Sequence, residues 1–265
     1  MPILHWATQH RWWALGVGLT LLVALVAVGV WLFALRSPGT RVDLNQALRL
    51  YRQHQQAGQT SGKENLPPSG VYRYRTSGQE ALSLAGIGRT FPPTTEMIVT
   101  NAGCAASEWE PFTQHTEGVT ECPQPGGALS MTTGTSYEEI AGATTTEIID
   151  CPPTAYLVPP SSAGVRWQAT CHAAGQTVRL TGRVVGATSV TVGGRSVPAL
   201  HTRLTLSFVG TETGTNPTDY WISVDNGLIL REQETVQITE QAGPLGSVRY
   251  SEQMSIALAS LTPDR

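Results

Sequence analysis

Between Trp12 and Leu35 the chain runs for 24 residues without a charged side chain, and this run constrains the fold more than any other feature. At about 1.5 Å of rise per residue, a helix of that length crosses a hydrocarbon core of roughly 30 Å. His10 and Arg11 bracket it on one side and Arg36 on the other. Trp12, Trp13 and Trp31 stand near its ends, where amphipathic rings favour the membrane interface. A cleaved signal peptide would carry a shorter apolar stretch, about 7 to 15 residues, followed by small residues. Phe33-Ala34-Leu35-Arg36 does not suit cleavage, and the first cysteine, Cys104, is far from any lipid-acceptor position. The expectation is an uncleaved transmembrane helix over 12–35, preceded by a cytoplasmic segment over 1–11.

Flanking charge scarcely orients this helix, since Arg11 and the amino terminus precede it and Arg36 and Arg41 follow. The cysteines decide. Cys104, Cys122, Cys151 and Cys171 all follow the run, an even number in a Gly-, Pro- and Thr-rich chain, as expected in an oxidising compartment. The domain after the anchor is therefore expected outside the cell membrane. Charged residues make up 14% of the chain and the net charge is −3, which provides no basic field for nucleic acid.

Beyond the anchor, Asp43 is a candidate N-cap. Leu44, Ala47, Leu48 and Tyr51 follow at helical spacing and Gly58 is a stop, so a short amphipathic helix is expected over Asp43 to Ala57. Residues 59–69, with Pro67 and Pro68, read as a linker, which makes 36–69 a juxtamembrane region and 70–263 an extracytoplasmic β domain. From Gly70 the period changes from 3.6 to 2. Leu200, Leu204, Leu206 and Phe208 alternate with His201, Arg203, Thr205 and Ser207. Val248, Tyr250, Met254, Ile256 and Leu258 repeat the pattern, broken by Glu252. Tyr220, Ile222 and Val224 lead into Asp225-Asn226-Gly227, a tight-turn signal, before Leu228 and Leu230 resume the apolar face. Alternation of this kind predicts a mainly β fold of about nine to eleven antiparallel strands, with one face solvated.

Cys104 and Cys122 are symmetric about Thr113, and Cys151 and Cys171 about Ser161. Each pair brackets a candidate hairpin turn. Of the three connectivities that four cysteines allow, 104 with 122 and 151 with 171 is preferred.

The search for chemistry returns no nucleophile elbow, metalloprotease helix, phosphate loop or dinucleotide fingerprint. No catalytic, cofactor-binding or metal-binding residue is assigned, and an enzyme is not expected. A Cys104–His115–Cys122 zinc set is set aside because its spacing is not that of a finger or ribbon. His201 falls on a polar strand face and reads as solvated. Glu138 and Glu139 are adjacent and face opposite ways. Asp219 and Asp225 read as turn or cap residues at strand ends. The aromatics are core by default; the sharper alternative is a ligand lining made by Tyr72, Tyr74, Trp109, Trp167, Tyr220, Leu204, Leu206, Phe208 and Met254.

The segment from Val190 to Glu234 carries a Thr-Val-Gly-Gly-Arg-Ser-Val-Pro-Ala-Leu stretch, a strand, and then Asp219-Tyr-Trp-Ile-Ser-Val-Asp-Asn-Gly-Leu-Ile-Leu-Arg-Glu. With the opening Gly70-Val-Tyr-Arg-Tyr-Arg and the closing Leu258-Ala-Ser-Leu-Thr-Pro, it resembles the LolA/LolB/RseB-like superfamily of extracytoplasmic bacterial proteins. The resemblance implies a curved antiparallel sheet, a half-barrel cupping a hydrophobic cavity, in proteins that carry or sense lipids and lipoproteins. A plug helix, if there is one, would come from Leu82 to Pro93 or Tyr137 to Ala143. A tethered domain does not diffuse as a shuttle must. The expected function is thus a membrane-anchored extracytoplasmic binding protein for a lipid, another apolar ligand or an envelope protein. A structural or accessory domain without a small ligand is the alternative, and an enzyme the third. An apolar cavity would favour the first, a solid core the second, and convergent carboxylates with a histidine the third.

Overall fold

Period-2 patterning governs nearly all of the chain that can be described. The structure is a computed structural model and describes residues 39–56, 66–83, 87–140, 143–160, 164–241 and 246–265. The apolar run over 12–35, the segment 1–11, Ala57, Gly58 and most of the expected linker lie outside these residues. Among the described residues no helix is long and apolar enough to cross a membrane.

Among the described residues, one α-helix, one short 3-10 turn and fourteen strands belong to a single unit from Gly39 to Arg265. Helix α1 spans Leu44–Gln56. Asp43 Oδ1 accepts the Gln46 amide at 2.8 Å, the N-cap bond expected of an aspartate one residue before a helix. Its apolar side is not suspended in a linker. Ala47 and Tyr51, with Val42, are buried against Val71 and Ile98 of the sheet.

The strands are β1 (Gly70–Leu82), β2 (Ile87–Thr90), β3 (Thr94–Asn101), β4 (Ala105–Phe112), β5 (His115–Gln124), β6 (Ala128–Ile140) and β7 (Ala143–Asp150). They continue with β8 (Tyr156–Val158), β9 (Arg166–Ala173), β10 (Gln176–Val192), β11 (Arg195–Gly210), β12 (Glu212–Ser223), β13 (Ile229–Gln241) and β14 (Ser247–Leu258). Sequential neighbours pair antiparallel almost throughout, in the order β14-β13-β12-β11-β10-β9-β7-β6-β5-β4-β3-β1-β2. Among the described residues of the segments expected to supply a plug helix none is helical: 87–90 is strand β2 and 137–140 belongs to β6.

The sheet does not stop at two free edges, as an open half-barrel would. β1 is long enough to serve three partners, with Gly70 to Arg75 against β3, Gln79 to Leu82 against β2, and Tyr74 to Leu82 against β14. The β1–β14 pairing closes the strand order into a ring, and full closure removes the exposed edges of a large sheet. The ring has one thin seam. β7 and β9 share a single residue pair, Asp150 with His172. Short β8 inserts between them in sequence and pairs β6 instead.

Both disulfides have the expected partners. Cys104 joins Cys122 and Cys151 joins Cys171, each with a Cα–Cα distance of 4.3 Å. Ala105 stands opposite Glu121 across the β4–β5 hairpin, which brings the flanking cysteines together as its symmetry predicts. The second pair closes no simple hairpin. It clasps the β7–β9 seam, beside the pair Asp150–His172.

Apolar side chains on the inner face gather in two clusters. One contains Tyr72, Tyr74, Phe91, Met97, Trp109 and Met254. The other contains Trp167, Leu180, Leu204, Phe208 and Ile222. Buried polar side chains, among them Glu80, His115, Glu232, Glu234 and Glu252, accompany them.

Candidate functional site

The inner face of several strands carries glutamate where the alternation calls for an apolar residue. On β1 the inward series Tyr72, Tyr74, Thr76 ends at Glu80, which is 1% exposed. On β14 it runs through Glu252, also 1% exposed, and on β13 through Glu232 and Glu234. Burying an ionised carboxylate is expensive unless it is paired, so such positions need partners.

Cross-strand register assembles them. Glu80 lies opposite Glu252 on the β1–β14 ladder and opposite Arg89 on the β1–β2 ladder. His115, the first residue of β5, lies opposite Glu138 of β6. These two groups meet inside the barrel. His115 Nδ1 stands 2.6 Å from Glu80 Oε2, and Nε2 stands 3.3 Å from Glu117 Oε1. Arg89 Nε donates to Glu80 Oε1, and its terminal nitrogens donate to the carbonyls of Gln114 and Glu139. The Tyr250 hydroxyl is 3.0 Å from Glu80 Oε2 and 2.5 Å from Glu252 Oε2, but its one proton serves only one of them. The second oxygen of Glu252 is buried and has no hydrogen-bond partner.

Aromatic rings wall the histidine. Phe91 and Trp109 pack edge-on against the imidazole with centroids 5.7 and 5.5 Å away, and Arg89 sits over the Phe112 ring. The low-polarity wall strengthens each charge interaction inside it. Burial works to raise Glu80, yet hydrogen bonds and charge from His115 and Arg89 prevail and hold it below the usual carboxylate range. Burial likewise works to lower His115, but its bonds to Glu117 and Glu80 raise it well above its ordinary value. The remaining acids have too little positive charge nearby. Burial pushes Glu138 up to about 7 and Glu234 up to about 8, and it lifts Glu252 well above the carboxylate range, with Glu117 adding repulsion.

Beside this group lies a cavity of about 170 Å³. Glu117, Glu138, Glu147, Glu232 and Glu234 contribute to its wall, together with Trp109, Leu206, Phe208, Tyr220 and Tyr250. Four of the nine residues read as ligand lining therefore border it: Trp109, Tyr220, Leu206 and Phe208. Tyr72, Tyr74 and Met254 belong to the first apolar cluster, and Trp167 and Leu204 to the second. Tyr74 spends its hydroxyl on the Ile229 carbonyl at 2.7 Å.

The remaining candidates fall elsewhere. The zinc set imagined around His115 has no thiols, because Cys104 and Cys122 are bonded to each other. His201 sits on the outer face, 2.7 Å from Asp219 and stacked on Trp221. Asp219 is not a strand-end cap. It lies within β12 opposite Arg203, which donates to both of its carboxylate oxygens. Sequence reasoning missed Glu80, Glu117, Glu232 and Glu234, although Glu232 and Glu234 lie between Leu230 and Val236, where inward apolar residues recur.

No family model and no curated protein matches the sequence. Among solved structures, a crystal structure from Parabacteroides distasonis ATCC 8503, described as a "putative lipoprotein", aligns over 76% of this chain and 99% of that one. The identity is 11% and the TM-score 0.30, too low to carry an argument about fold or function.

Proposed function

We propose that the chain is a membrane-anchored extracytoplasmic binding protein, held by a helix over 12–35, whose barrel interior takes a small cationic ligand. The observation that carries this reading is the cavity wall: half-buried Glu117 of β5 and Glu138 of β6 and buried Glu232 and Glu234 of β13 border one space. A positively charged occupant takes the place of the protons that these raised carboxyls otherwise hold. The two disulfides support an oxidising compartment.

The superfamily resemblance would make the occupant a lipid. Small-molecule pockets typically enclose about 300–1,000 Å³, whereas this cavity holds about 170 Å³ and is bordered by five glutamates among its apolar residues. Size and charge both favour something smaller and more polar than an acyl chain. A filled accessory domain fits less well, since five glutamates gathered around one space are costly to keep without an occupant.

Enzymatic chemistry is the second reading, favoured by one observation. Glu138, pushed up to about 7, stands across the ladder from His115 beside the cavity, where a general base would be poised near neutral pH.

Native mass spectrometry of the full chain, released in mild detergent from its own envelope, tests the proposal. A bound metal ion or small cation supports it. A co-isolated lipid would restore the apolar reading, and a bare chain mass would argue against any interior ligand.

A further inference from the structure

We propose that the barrel interior holds one divalent transition-metal ion, ligated by His115 Nε2 and the carboxylates of Glu117, Glu138 and Glu252. This rests on the reading of the interior as a cation site and names the class of cation.

Three observations carry it. First, one ligand atom from each of these residues lies within 4.8 Å of all the others. Bonds of about 2.0–2.2 Å to nitrogen and oxygen place ligand atoms roughly 3–4.4 Å apart, so these side chains need contract by less than about an ångström. Second, Glu252 is 1% exposed, and one of its oxygens has no partner. A buried carboxylate oxygen without a partner is free to bind a cation. Third, the outer shell is already built. Glu80 takes the His115 Nδ1 side at 2.6 Å and is itself held by Arg89, the carboxylate–histidine arrangement that fixes the tautomer and presents Nε2 to a metal.

Charge and donor type then choose the ion. A dication offsets three carboxylates more fully than the single proton on imidazole does, while Arg89 balances Glu80 separately. One imidazole with carboxylate oxygens suits zinc, manganese, cobalt or ferrous iron, and an imidazole ligand disfavours calcium and magnesium. The adjacent cavity leaves room for water or a small ligand to complete the coordination.

The test uses the full chain in mild detergent, stripped with EDTA and dialysed against Co²⁺ or Zn²⁺. Metal per chain is measured after desalting, and the visible absorption of Co²⁺ reports its ligands. One equivalent is expected to remain on the wild type and on a His201→Ala control. Glu252→Gln should keep the far-ultraviolet circular dichroism and lose affinity by at least about tenfold. If that variant does not fold, Glu117→Gln is judged by the same criterion. Failure of the wild type to retain metal, or equal retention by the folded glutamine variant, would overturn the proposal. An organic cation found by native mass spectrometry would then leave the binding reading standing; an empty chain would sink both.

Discussion

Glu252 shows how a residue can be conspicuous in the sequence and still be misread. It interrupts the series Val248, Tyr250, Met254, Ile256, Leu258, which reads as a break in an apolar face. The side chain does not turn away. It keeps its inward position, 1% exposed, opposite Glu80. The interruption was legible; its meaning was not, because Glu80, His115 and Glu138 come from strands distant in sequence. Asp43 was fully legible, since an N-cap depends only on its own next three residues. Glu121 is the sharpest test at this scale. It is 2% exposed, has an unpartnered carboxylate oxygen, and burial pushes it up to about 8. An unfolded glutamate titrates near about 4.3. Between these values the native state holds a proton that the unfolded state lacks, so stability falls as pH rises through the window. Glu121→Gln is expected to stabilise the fold by on the order of a few kcal/mol at pH 8 and to have little effect near pH 4, measured by chemical denaturation. A variant that destabilises equally at both values would refute the burial argument.

At the scale of elements, alternation located the strands well because one face of each is buried. Leu200, Leu204 and Phe208 are buried while Arg203 is exposed. The long β10–β11 hairpin turns at Gly193 and Gly194, whose φ values of 55° and 81° explain the Gly-Gly pair in the sequence. The expected count of strands was low because short pieces such as β2 and β8 carry too few residues to show a period. Packing between strands adds constraints that no pattern reveals. Gly182 faces Trp167 across the β9–β10 ladder, and a Cβ placed there would lie 2.1 Å from the indole. Gly182→Ala must displace that ring, and overpacking of this kind costs about 1–3 kcal/mol. Denaturation should show the loss together with a changed tryptophan emission; an unchanged midpoint would mean the indole moves freely.

For the whole molecule, closure is the feature least accessible to sequence reasoning. Residues 74–82 pair with 250–258, so the ring joins the first and last strands of the sheet. Such a contact leaves no local signature, whereas the cysteine pairs do, through the symmetry of their flanking segments. The seam between β7 and β9 is the point where closure is weakest, and Cys151–Cys171 clasps it. Closing a loop with a sequence separation of 20 contributes about 3 kcal/mol in a chain-entropy account. Replacing both cysteines with serine should lower stability by about that amount and speed amide exchange first in β7 and β9. Uniform exchange across the barrel would contradict a local seam. Closure also encloses acids that an open sheet would leave hydrated, and it is within this enclosure that the proposed metal site lies. Anomalous diffraction from crystals of the full chain grown with Co²⁺ tests it most directly. The account predicts one strong peak between His115 Nε2 and the carboxylates of Glu117, Glu138 and Glu252; anomalous density confined to surface histidines, with none there, would contradict it.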